Sequence, residues 1–284
     1  YYSYSRVFNL TKEQAILSLA FLLGISVISL SILGYETDNF VLPFLMVIVY
    51  FAVYDKNKIR AWKKLVIASV FIFSLVISHT GTYMFVFFLL TMYLISYSLI
   101  YREINMSVYL ILAILVFFYI LGIHIFPNIQ GHYLDKGRLI LSIGNYMSDR
   151  LLIPLFSDLA KVIYEGVFDD LNYLYAILWL ALLYLACKIV SYLSVFVSRS
   201  PLKSYLAIPL IGSVRHLSHS ILYWPIWLGP IHTVLSAIGA SRVDKKGLCM
   251  LVSIAMVTVP SGYFAGERAL REIQYFYLIL PILS

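Results

Sequence analysis

The sequence predicts an all-α, polytopic transmembrane helical bundle of about eight or nine spans, and three observations predict it. Apolar residues make up 62% of the 284 residues and charged residues 12%, against roughly 45–50% and about 25% in a soluble domain. The apolar excess is gathered into runs of roughly 20 residues, the length that crosses about 30 Å of hydrocarbon. The runs are continuous rather than alternating, so the backbone is satisfied within helices and not in a barrel.

The first predicted span covers 15–33 and the second covers 40–54, with Pro43 near its start; Gly34 to Asn39 connects them. The most basic stretch follows, with Lys56, Lys58, Arg60, Lys63 and Lys64. Span three (65–78) ends at His79-Thr80-Gly81, span four (83–101) begins at once, and span five (108–126) closes at Pro127. The longest stretch with no span runs over 127–170. In it Leu152, Leu155, Phe156, Leu159 and Ile163 recur at helical spacing, with Asp158, Lys161 and Glu165 on another face. That pattern predicts an amphipathic helix lying in the membrane interface.

Span six covers 171–197. The segment 205–240 carries Pro209, Pro225 and Pro230 with a polar middle at Arg215, His216 and His219; it reads either as one broken span or as a hairpin. Span eight covers 248–265, and a shorter apolar run closes the chain after Glu267, Arg268, Arg271 and Glu272. The whole of 1–284 reads as a single transmembrane domain, a piece of a longer chain, with 127–170 as an outer loop.

The formal charge of +7 does not point to nucleic acid, because the basic residues sit in short connections between spans, where they set topology. With the N-terminal residues inside, the inner connections hold Arg6, Lys12, the five basics from Lys56 to Lys64, and Arg102, while the outer ones at 36–39 and 79–81 hold none. This puts Glu36, Asp38, His79 and 127–170 on the outer side. Beyond Arg199 the basic residues divide equally under one crossing or two, so charge does not choose. Cys187 and Cys249 both fall in apolar runs and read as small core residues.

Candidate chemistry belongs to the outer side. His79, held between two apolar helices, reads as a ligand for a phosphate or sugar hydroxyl, or as a helix-end cap in a tight glycine turn. Glu36 and Asp38 supply carboxylates for a general base or for a divalent cation. Arg268 and Arg271 suit bidentate phosphate binding, with Arg138 and Arg150 as further candidates for that work. His216, His219 and His232 lack the carboxylate or thiol that would complete a metal site, and no resident metal is predicted from them. No Asp, Glu or Arg lies at the centre of a clear span, whereas ion-coupled transporters and proton pumps need such groups.

Three features together resemble the multi-spanning, lipid-linked-sugar glycosyltransferases of the GT-C superfamily, including archaeal relatives of protein mannosyltransferases and oligosaccharyltransferases. They are Ser78-His79-Thr80-Gly81-Thr82-Tyr83 turning one helix into a long one, the outer stretch 139–170, and Glu267-Arg268-Ala269-Leu270-Arg271 before the last run. The resemblance covers the general pattern of the chain through short motifs. It implies that His79 shapes an outer active site and that Arg268 and Arg271 contact the phosphate of a polyprenyl-phosphate-linked sugar. The family carries its catalytic acid in a long first outer loop, but the connection holding Glu36 and Asp38 is short. The resemblance therefore puts the acid there or upstream of Tyr1.

The expected activity is transfer of a sugar from a polyprenyl-phosphate carrier at the outer face of the lipid bilayer. The alternatives are a polysaccharide polymerase or ligase, and a non-enzymatic scaffold or transporter.

Overall fold

The computed structural model of the chain describes residues 11–16, 37–53, 61–151, 154–199, 244–250, 252–254 and 257. The described residues are helical, with no strand among them. A capping box opens the first of them: the Thr11 amide donates to Gln14 Oε1 at 2.9 Å and the Gln14 amide to Thr11 Oγ1 at 3.3 Å. This reciprocal pair satisfies two donors that a helix start otherwise leaves orphaned.

Helix α1 spans Thr37–Val53, α2 Ala61–Ser78, α3 Thr80–Tyr101 and α4 Met106–Ile125. The segments predicted as the second to fifth spans coincide with these four helices, which begin a few residues earlier and end at or beside the predicted positions. α1 begins at Thr37, so Asp38 lies within its first turn rather than in a connecting loop. A carboxylate residue suits that position, where the helix dipole is positive. Of the first predicted span only the start is described, and segment 205–240 and the last run lie outside the described residues.

α3 ends because Arg102 turns into the left-handed region at φ 63°, its amide still donating to Ser98 O at 3.1 Å. Three residues later Asn105 caps α4, its side chain accepting from the Val108 amide at 3.2 Å. So short a link makes the two helices antiparallel neighbours.

Side-chain pairings give the directions of the rest. Phe73 faces Phe118 at 5.6 Å, and Gly122 lies so close to Val76 that a β-carbon there would sit 2.6 Å from Val76 Cγ1; α2 and α4 therefore run parallel. Phe44 of α1 meets Phe71 of α2 at 5.5 Å, and the short connection between those helices makes them antiparallel. Helix α7, Tyr173–Arg199, runs alongside α3: Phe87 packs on Trp179 at 4.9 Å, and Ser194 Oγ donates to Leu99 O at 2.8 Å. The bundle so built has two ends, named here for His79 and Arg102.

α3 packs against α1, α2, α4 and α7 and forms the axis of the core, with Leu89, Leu90, Tyr93 and Leu94 almost wholly buried. α3, α4 and the Tyr173–Ser194 part of α7 are each long and apolar enough to cross a membrane.

At the His79 end the chain does not form a loop with one amphipathic helix. A 3-10 turn, Pro127–Ile129, leads into a long helix α5, Gln130–Leu151. After Pro154 a short helix α6, Leu155–Ile163, follows, then a π-helical segment, Tyr164–Asp169. α5 and α6 pack on each other as a helical hairpin. α5 escaped the sequence reading because its apolar residues are sparse and it carries Gly131, Gly137 and Gly144, which weaken helix propensity. Tertiary contact supplies what propensity lacks.

On α6 Leu155 and Val162 are exposed, and Ala160 is buried. Lys161 and Glu165 approach to 3.8 Å on its polar side, a pair so exposed that it adds little stability.

Candidate functional site

The His79 end is where the sequence-predicted chemistry can be tested. His79 is the only residue between α2 and α3. Its backbone is extended, at φ −153° and ψ 102°, while its amide still bonds to Leu75 O at 3.0 Å and its carbonyl accepts from the Tyr83 amide at 3.1 Å. One residue thus terminates one helix and initiates the next.

The imidazole caps α3. Nδ1 accepts from the Thr82 amide at 3.0 Å and lies 2.8 Å from Thr82 Oγ1. An Nδ1 that accepts from a backbone amide carries no proton, so the neutral ring holds its proton on Nε2. In this arrangement the Thr82 hydroxyl donates to Nδ1 and the Nε2 edge is a donor. Gly81 gives the ring its room: a β-carbon there would come 3.1 Å from His79 Cε1. The expected helix-end cap is thus present, but as an N-cap of α3 made by the imidazole and not as a glycine C-cap of α2.

Beside this turn lies a tyrosine cluster that the sequence reading missed. Tyr83, in the first turn of α3, donates to Leu115 O of α4 at 3.1 Å. Its ring stacks on Tyr119 at 5.8 Å and meets Tyr133 edge-on at 5.4 Å. Tyr133, near the start of α5, donates to Val76 O at 2.8 Å, one turn before His79. Burial, with a smaller contribution from Tyr119, pushes the Tyr133 hydroxyl well above its ordinary value, so it stays protonated as that donor. Tyr119 packs against Tyr133 at 4.9 Å and Phe168 at 5.4 Å, and its buried hydroxyl has no hydrogen-bond partner among the described residues. The cluster pins α5 and the π segment onto the bundle. Its sequence signal was faint, because Tyr133 sits in a polar context and the chain holds 24 tyrosines.

The entry of α7 into the bundle is equally constrained. Leu171 adopts φ 51°, and Asn172 then accepts from the Leu174 amide at 2.8 Å while its own amide donates to Gly166 O at 3.0 Å. A β-carbon at Gly166 would fall 2.2 Å from Tyr175 Cγ, so only glycine lets the π segment close on α7. Gln130 Nε2 ties the start of α5 to Asp169 O at 3.1 Å.

The other predicted site residues divide into three groups. Asp38 shares the His79 end. The antiparallel pairing at Phe44 and Phe71 puts the first turn of α1 level with the last turn of α2. Arg138 is exposed on α5, five residues beyond Tyr133. Arg150 is on the same helix but 12 residues further on, about 18 Å along its axis at 1.5 Å per residue. Glu36, Arg268 and Arg271 lie outside the described residues, as do His216, His219 and His232.

Among the described residues no group of three or more His, Cys, Asp or Glu could hold a metal ion. The arrangement sets a capping imidazole and a helix N-terminus at one polar turn, flanked by buried aromatics. No protein family, curated protein or solved structure matches the chain.

Proposed function

We propose that the chain is a multi-pass integral membrane protein of about eight or nine spans that transfers a sugar from a polyprenyl-phosphate carrier at the outer membrane face. The observation that carries this reading is the gathering of polar groups at the His79 end. The capping imidazole lies one turn beyond the Val76 carbonyl that holds the start of α5, and α1 begins at the same end, while the body of the bundle is apolar. In such an enzyme a carboxylate activates the acceptor, and donors and cations stabilise the departing phosphate. Asp38, in the first turn of α1, takes the first role in this reading. His79 shapes the site beside the phosphate or sugar oxygen, with Arg268 and Arg271 as the cations. The amphipathic α6 lies at the lipid–water boundary, where the carrier's head resides.

The test separates chemistry from capping. Asparagine is a good N-cap and lacks an imidazole, so His79→Asn keeps α3 capped while His79→Ala does not. In proteoliposomes supplied with a panel of radiolabelled polyprenyl-phosphate sugars, wild type should release the carrier and transfer label. His79→Asn and Asp38→Asn should each lower transfer by about 100-fold, the scale of one general acid–base group. Transfer from no donor, or transfer unchanged in the double variant, overturns the proposal.

A further inference from the structure

The Arg102 end of the bundle, which the proposed chemistry does not use, carries its own pattern. α2 starts there with Trp62, Lys63 and Lys64, all on the surface or partly so, and α3 ends there at exposed Arg102. The late helical residues 245–250 begin there as well. Asp244 caps them, its side chain accepting from the Gly247 amide at 2.8 Å. Ser253 Oγ bonds to Ser96 Oγ of α3 at 3.5 Å, and Asp244 and Cys249 lie within electrostatic reach of Tyr101, at the end of α3. This helix therefore starts beside the C-terminus of α3 and runs toward the His79 end. α7 also arrives at the Arg102 end, through the bond from Ser194 to Leu99. Arg199 and Lys245 consequently lie at one end of the bundle, a point that charge counting alone left open.

The two ends then differ in sign. Among described side chains, the Arg102 end sets Lys63, Lys64, Arg102, Lys245 and Lys246 against Glu103 and Asp244. The His79 end sets Arg138 and Lys161 against Asp149, Asp158, Glu165, Asp169 and Asp170. Two exposed aromatics, Trp62 at 57% and Tyr192 at 75% exposure, stand at the level of the basic group. Amphipathic rings of this kind settle at headgroup depth.

We infer that the Arg102 end is a docking surface for anionic phospholipid headgroups of the cytoplasmic leaflet, with Lys245 and Lys246 completing the basic group formed by Lys63, Lys64 and Arg102. The inference rests on the membrane reading above and on no part of the sugar chemistry. Basic residues near an anionic leaflet are each attracted to its surface potential, and the attraction fades within a Debye length. At the opposite end acids predominate among the described side chains, which weakens such attraction there.

Two measurements on the full chain test it. Alkaline carbonate extraction first establishes membrane embedding. Arg102→Cys, Lys246→Cys and Asp158→Cys are then labelled in intact cells with a membrane-impermeant maleimide; buried Cys187 and Cys249 remain in place. Positions 102 and 246 should label only after permeabilisation, and position 158 before it. A carbonate-resistant chain in which 246 and 158 label from the same side overturns the docking surface while the membrane reading survives.

Second, tryptophan quenching by brominated lipid is compared in vesicles of phosphatidylcholine with and without phosphatidylglycerol. Wild type should prefer brominated phosphatidylglycerol by roughly tenfold at low salt, and the preference should collapse at high salt. The variant Lys63→Gln, Lys64→Gln, Arg102→Gln, Lys245→Gln, Lys246→Gln should show none. A preference that is absent in wild type, or indifferent to salt, overturns the inference without requiring the variant to fold.

Discussion

α3 and the Tyr173–Ser194 part of α7 are apolar stretches of the same length, 22 residues, and of nearly the same mean hydropathy, yet 72% of the most apolar 18 residues of α3 are buried inside the protein and only 22% of those of α7. In water such a difference would be written in the pattern of apolar and polar residues. In a bilayer it is not, because lipid tails are as apolar as leucine and no hydrophobic force distinguishes the two surroundings. What distinguishes α3 is fine structure. It buries Thr82, Thr91, Ser96 and Ser98, and Thr91 and Ser98 return their hydroxyls to Phe87 O and Leu94 O at 2.8 Å each. Small hydroxyl residues let neighbouring backbones approach, and this local bonding removes the cost of burying them. α7 instead presents Leu174, Ile177, Leu185, Ile189 and Leu193 outward.

The comparison is most sharply tested by paired truncations. Leu94→Ala on α3, where the side chain is fully buried, should cost about 2–4 kcal/mol, whereas Leu185→Ala on the outer face of α7 should cost less than about 0.5 kcal/mol. Reversible unfolding in mixed detergent micelles measures both, and equal losses would erase the distinction between hub and periphery. Next in size is Gly122→Val, which forces a β-carbon onto Val76. We expect a loss of about 1–3 kcal/mol, recovered in large part by adding Val76→Ala, and a double-mutant cycle reads the coupling.

Smaller effects belong to the polar ties that hold α7 to its neighbours. Tyr109→Phe removes a 3.2 Å bond to Leu180 O and Ser194→Ala a 2.8 Å bond to Leu99 O. Each should cost about 0.6 kcal/mol, the scale of hydrogen bonds between membrane helices, and a much larger loss would make α7 part of the core. The smallest effect is expected at Tyr93, whose buried hydroxyl has no hydrogen-bond partner among the described residues. Tyr93→Phe should be neutral or slightly stabilising, because it removes an unsatisfied polar atom. A loss above about 1 kcal/mol in the same unfolding assay would reveal a bond that the bundle conceals.

The candidate site was legible only in outline. His79 stood out because an imidazole between two apolar runs has few bland explanations, but its role as the N-cap of α3 depends on an extended backbone that no residue pattern announces. Asp38 looked like a loop acid and lies in a helix, because Thr37 already begins α1. The tyrosines that hold α5 against the bundle are distant in sequence, and Tyr133 reaches Val76 across 57 positions. Contacts of that kind carry no local signal.

The residues by themselves determined that the described chain is helical and where α1 to α4 and α7 lie. Run length against bilayer thickness, and the need to satisfy every backbone group, leave few other solutions. Tertiary structure alone decided which apolar helix became the axis, that 127–170 folds as a helical hairpin, and that α7 and the helix after Asp244 meet at the Arg102 end. Those choices rest on steric fit at Gly122 and Gly166 and on hydrogen bonds between distant residues. Such short-range forces act only once the helices are already side by side.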